Sequence, residues 1–138
     1  MVQNRGQRFL FGTTVTHKLL GVRLKILAFV KLLMFSDIEK ICIENPAGLI
    51  GTRIKPASQF IQPYDFGDDA SKKTGLWLKN LPLLIPTKYI PPRIVGGLPR
   101  WGNQCDSGQN ELTPSGSRAE DRARTYVGIA EAMADQWG

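Results

Sequence analysis

Histidine and cysteine are scarce in this chain. The single histidine, His17, leaves too few imidazoles for most His-based zinc sites and argues against a Ser/His or Cys/His triad. The two cysteines, Cys42 and Cys105, form no CxxC and no other metal-ligand spacing. Without a disulfide framework the chain suits a reducing compartment. A long apolar run is also missing. Residues 19–35 come nearest, but Arg23, Lys25 and Lys31 interrupt them, short of the roughly 20 residues a spanning helix needs. The basic N-terminus lacks a compact apolar region followed by a small-residue cleavage site. These absences predict a cytoplasmic protein with no membrane association. No GxGxxG, no phosphate-binding glycine loop, no acid/base pair of carboxylates at helical spacing and no internal repeat occurs.

What is present fits one modest domain. The chain has 138 residues, 42% hydrophobic and 22% charged, a globular rather than a disordered composition. Most of its 14 glycines and nine prolines follow Asn45, which predicts a loop-rich second half. The net charge of +6 suits a polyanionic partner and is also compatible with an ordinary soluble protein. Most of the excess lies in residues 1–40, and a second group comprises Arg53, Lys55, Lys72 and Lys73.

Residues 1–17 show no clear period and read as a leader, with a weak strand at 9–15. Residues 18–35 read as a helix, because Leu19, Val22, Ile26, Phe29, Val30 and Leu33 recur at three and four as one apolar stripe. Ser36-Asp37 ends it. Ile41-Cys42-Ile43 then reads as a short buried strand, in which Cys42 packs as a small hydrophobe. Helix, short loop and buried strand make half of a βαβ unit, so the expected class is α/β. One helical turn at 49–54, strands at 59–62 and 74–78, and a turn at 64–67 follow. On the third strand Leu76 and Leu78 share one face and Trp77 takes the other. Pro82 and Pro86 exclude a central strand at 80–85. Residues 88–114 read as irregular, and a loop this long is functional or poorly ordered. Ser115 or Ser117 can cap a closing helix over 118–137, with a break near 125–128.

Three constellations carry chemistry, each with a plainer alternative. Glu44-Asn45-Pro46 ends the buried strand, where α/β proteins bind ligands. A carboxylate there can hold a heterocycle by a ring nitrogen and an exocyclic amine, or it can cap the next helical turn. Lys72-Lys73-Thr74, with Arg53 and Lys55, can face phosphates or form a solvated loop. Trp101-Gly102-Asn103-Gln104, beside Arg100, can read bases, order the loop, or plug the core. Met133 and Trp137 read as core.

An ordered set of motifs runs through the chain: Ile41-Cys42-Ile43-Glu44-Asn45-Pro46; Ile61-Gln62-Pro63 with Phe66-Gly67; Lys73-Thr74 with Leu76-Trp77-Leu78-Lys79-Asn80-Leu81-Pro82; Arg100-Trp101-Gly102-Asn103-Gln104; Ser107-Gly108-Gln109-Asn110; and the ending from Tyr126 through Ile129, Met133 and Trp137 to Gly138. As a set these resemble the C-terminal part of phage- and prophage-encoded DNA cytosine-5 methyltransferase-like proteins, over residues 24–138. The resemblance implies part of a Rossmann-like methyltransferase sheet with flanking helices, covering 18–138, and S-adenosylmethionine as cofactor. It makes 88–114 the target-reading region and leaves 1–17 an unmatched leader. It also implies that Glu44, supported by Asn45, holds a flipped cytosine. Arg53, Lys72, Lys73, Thr74, Arg100 and Asn103 would then contact DNA. The family's Pro-Cys nucleophile and its cofactor glycine loop have no counterpart here. The resemblance therefore implies a truncated form, inactive alone, whose missing half a partner chain would supply. The alternative is a non-catalytic DNA-binding or phage accessory module.

Overall fold

A computed structural model describes residues 5–111 and 125–138, and in residues 5–19 the backbone alone. The elements in order are α1 (Arg5–Met34), β1 (Ile41–Pro46), α2 (Leu49–Arg53), β2 (Gln59–Ile61), a 3-10 turn (Pro63–Asp65), β3 (Thr74–Lys79), β4 (Arg93–Val95), β5 (Leu98–Arg100) and α3 (Val127–Trp137). Helices and strands are mixed, as the sequence predicts. The main sheet has the order β1-β3-β2, and both of its pairings are antiparallel. The half βαβ unit expected around β1 is therefore not completed by a parallel neighbour among the described residues. β1 instead takes β3, which returns along it with Ile41 opposite Lys79 and Pro46 opposite Thr74.

β3 is the middle strand, and its pleat sends alternate side chains to two separate cores. On one face Leu76 packs with Ile61, Phe66, Leu84, Ile129 and Ala132, and α3 closes this side. On the other Trp77 packs with Val30 of α1 and Ile50 of α2, and its indole N–H donates to the Lys55 carbonyl at 2.8 Å. The split of Leu76 and Leu78 from Trp77 is as the alternation predicts. Gly75 has a steric reason. A Cβ there would meet the Trp77 ring at 2.9 Å, so only glycine lets the indole fold back over its own strand.

Three expectations are corrected. Residues 9–15 lie inside α1 and form no strand; a short apolar run without proline is ambiguous between the two states. The apolar stripe of α1 is mostly not core. Val30 is buried, but Val22, Ile26 and Phe29 (61%) are exposed. The strand is longer and less enclosed than a buried strand should be, because β1 is an edge: Ile41 is buried, residues 42–45 are half-buried and Pro46 is exposed. Proline is tolerated on such an edge. The closing helix begins at Val127, with Tyr126 extended at φ −68° and ψ 142°. Its proposed first part at 118–124, and Ser115 and Ser117, lie outside the described residues.

This division of α1 sets the first prediction. Leu76→Ala removes a fully buried side chain and should cost about 2–5 kcal/mol. Phe29→Ala, measured at dilutions where the chain is monomeric, should shift stability by less than about 0.5 kcal/mol. Urea unfolding of the two variants checks this, and equal losses would place the α1 stripe in a core.

Candidate functional site

The three strands of the main sheet come level at one end. Pro46 ends β1 opposite Thr74, which begins β3, and Ile61 ends β2 opposite the same Thr74. Residues on either side of this line, though far apart in sequence, are thereby gathered at one rim. Glu44 lies two residues back, opposite Leu76, and so on the α3 side of the sheet with Cys42. Its Oε2 accepts a hydrogen bond from the Thr125 hydroxyl at 3.0 Å, across 81 positions of sequence.

Thr125 is brought there by the entry to α3. The next residue, Tyr126, packs against the core, and two residues on the Gly128 N–H donates to Asp68 Oδ2 at 3.0 Å. That carboxylate satisfies one of the unpaired N–H groups of the first helical turn and suits the positive end of the helix dipole. A Cβ on Gly128 would collide with the Phe66 carbonyl oxygen. Burial, then the nearby Asp68, raises the Tyr126 phenol above its ordinary range, so it remains a neutral donor at physiological pH.

The two lysines expected to face phosphate stand at this rim on either side of the sheet. The Lys72 ammonium lies 5.9 Å from the Tyr126 ring centre, on the side of Glu44. Its backbone N–H donates to Gln62 Oε1 at 2.9 Å. The exposed Lys73 has its ammonium 4.6 Å from the ring centre of Phe60, a residue opposite Gly75 and so on the Trp77 side. Thr74 is buried, and its hydroxyl donates to the Lys72 carbonyl at 3.0 Å, shaping the turn. Asn45 points to the face opposite Glu44 and donates from Nδ2 to the Pro46 carbonyl at 3.0 Å. Arg53 is exposed at the end of α2, on the Trp77 side.

Arg100 turns away from this rim, whereas Asn103 is tied to the segment just before Lys72. Arg100 donates to the carbonyls of Asp106 and Pro99. Asn103 accepts from the Ser71 N–H at 2.8 Å and donates to the Ser71 carbonyl at 2.9 Å. They belong to a unit built from 88–111, which is more ordered than its reading as an irregular loop. β4 and β5 form a hairpin turned by Gly96 and Gly97, both at positive φ (59° and 78°), as a two-residue primed turn requires. Trp101 is buried, stacks on Tyr64 with ring centres 4.0 Å apart, and donates to the Ile90 carbonyl. Of the roles open to it, this is the anchor that fixes the loop. Arg93 donates to the Trp101 and Gln104 carbonyls and pairs with Asp106 at 3.2 Å. The Gly-Gly step between Ile94-Val95 and Leu98 was the sequence signal for this hairpin. Nothing local marked Thr125, Asp68 or Gln62.

Neither thiol is an activated nucleophile at the rim. Burial, reinforced by the charge of Glu44, pushes the Cys42 thiol up to about 11, so it stays protonated at neutral pH. Cys105 is lowered, chiefly by its hydrogen bond to Ser107, but sits in the 88–111 unit. Among the described residues no group of three or more His, Cys, Asp or Glu could hold a metal ion. No protein-family model, curated protein or solved structure matches the chain.

Two outcomes are expected. Gly128→Ala should lower the melting temperature and raise hydrogen exchange across α3, because the helix start can no longer seat on Phe66 and Asp68. An unchanged exchange pattern would contradict this docking. Titration with a thiol reagent at pH 8 should label Cys105 first. Cys42 should react at a comparable rate only as the pH approaches 11 or after unfolding, since its proton is held through that window.

Proposed function

We propose that the chain is a DNA cytosine-5 methyltransferase-like protein that binds DNA and is inactive by itself. In this reading β1 is a strand of a partial Rossmann-like methyltransferase sheet, whose parallel neighbour would lie along the unpaired edge of β1. One observation carries the reading: Glu44 and the cation Lys72 stand on one face at the end of the sheet, with Lys73 at the same end on the other face. A carboxyl group at that position can bond the ring nitrogen and exocyclic amine of an unstacked cytosine. The lysines supply sequence-independent attraction to the backbone. Arg53 adds charge from the Trp77 side. The hairpin unit of 88–111 is the candidate for reading the target, with Arg100 and Asn103 holding its shape.

Two observations favour binding over catalysis by this chain. The first is the protonated Cys42, which cannot attack a base. The second concerns S-adenosylmethionine, the methyl donor that the family uses. One cavity, lined by Met34, Ile41, Lys55, Trp77, Leu78 and Lys79, has a volume of about 150 Å³. That is below the roughly 300–1,000 Å³ of small-molecule sites. It carries no carboxylate to hold a ribose, so it does not fit that cofactor. In this reading a second chain brings the nucleophile and the cofactor pocket. No helix of the described residues is long and apolar enough to cross a membrane.

Fluorescence anisotropy with duplexes carrying one unpaired cytosine or one unpaired thymine tests the reading. The cytosine duplex should bind more tightly, and Glu44→Gln should remove about 1–3 kcal/mol of that preference. Lys72→Ala and Lys73→Ala should weaken both duplexes alike and lower the salt slope by about 1 each. Equal binding of the two duplexes by the unaltered chain would overturn the base-holding role.

A further inference from the structure

α1 presents a surface that the other described residues do not cover. Val22, Ile26 and Phe29, spaced at four and three, are exposed along a stripe of α1 that runs on to the buried Val30, and Leu32 is 69% exposed. Exposed Arg23 and Lys25 flank this line on its two sides. Along its whole length α1 carries Arg5, Arg8, Lys18, Arg23, Lys25 and Lys31 and not one carboxylate. A contiguous apolar surface of this kind marks an interaction site, and its charge asks for a partner face bearing acids.

α3 has the opposite character. Its inner side, Ile129 and Ala132, packs on Leu76. Its outer side consists of Val127 (61% exposed), Ala130, Glu131, Ala134 and Asp135, all exposed. The helix contains two acids and no base. Small residues on this face leave grooves into which the larger Val22, Ile26 and Phe29 can fit. Glu131 and Asp135 can meet Arg23 and Lys25. Within one chain the two faces cannot meet, because α1 lies on the Trp77 side of the sheet and α3 on the Leu76 side.

We propose that the chain associates with a second copy of itself, with α1 of one copy seated on the outer face of α3 of the other. Contact of α1 with α1 would oppose like charges. A reciprocal pair of α1–α3 contacts gives a two-fold dimer, and contacts that do not close give a string of copies. This association goes beyond the DNA-binding reading and stands or falls without it.

Sedimentation equilibrium of the full chain tests it. The unaltered chain should associate, and less so as salt is raised. Arg23→Glu with Lys25→Glu, or Glu131→Lys with Asp135→Lys, should each weaken association by at least about tenfold. Mixing the two charge-reversed chains should restore it. All four positions are exposed, so circular dichroism should be unchanged and melting should stay cooperative, separating lost association from lost folding. A chain that stays monomeric would overturn the proposal. So would association that ignores the reversals, or reversed chains that fail to recover on mixing. A monomer that instead binds anionic vesicles through Arg23 and Lys25 would overturn it as well.

Discussion

The structure depends on the pleat of one six-residue strand. β3 is the middle of the sheet, and Leu76 and Trp77, adjacent in sequence, are each almost fully buried in a different core. Alternation along β3 decides which helix lies on which side. It also fixes the register with β1, and with it the depth of Glu44 below the sheet end. A slip of one residue would exchange the two faces, putting the indole into the α3 core and leaving Lys55 without its hydrogen bond. Gly75 belongs to the same constraint, since the fold-back of the indole leaves no room for a side chain there.

Much of the local structure was legible in the chain. The alternation of Leu76, Trp77 and Leu78 gave both the strand and its two faces, because period two is a direct record of the pleat. Pro63 marked the end of β2, and Pro82 and Pro86 excluded a strand where none forms. What could not be read was pairing. Helix followed by buried strand suggests a parallel crossover, but nothing in residues 41–46 says which strand will lie beside them, and β3 returned antiparallel. The α1 stripe misled for a related reason. Its period is that of a helix with an apolar face, yet period alone does not say whether that face is covered from within the same chain.

The sheet end shows the same division between local and distant information. Glu44 and the lysines were singled out because residue types at a strand end and before a strand are local facts. The partner of Glu44 was not, since Thr125 reaches it only because Gly128 lets the start of α3 press against Phe66 and Asp68. Thr74 and Asn103 were chosen for chemistry they do possess, but their polar groups are engaged within the fold. A hydroxyl or amide in a sequence is an inventory of donors and acceptors, and the fold decides which of them still face outward.

The central claim is that Glu44, Lys72 and Lys73 form one ligand-facing end of the sheet. Nuclear magnetic resonance titration of the labelled chain with a duplex containing one unpaired cytosine tests it most directly. The account predicts that the largest shifts fall together on Glu44, Thr125, Lys72 and Lys73, leaving the Trp77 indole unmoved. Shifts that spare Glu44 and its neighbours, or that follow α1 alone, would contradict it.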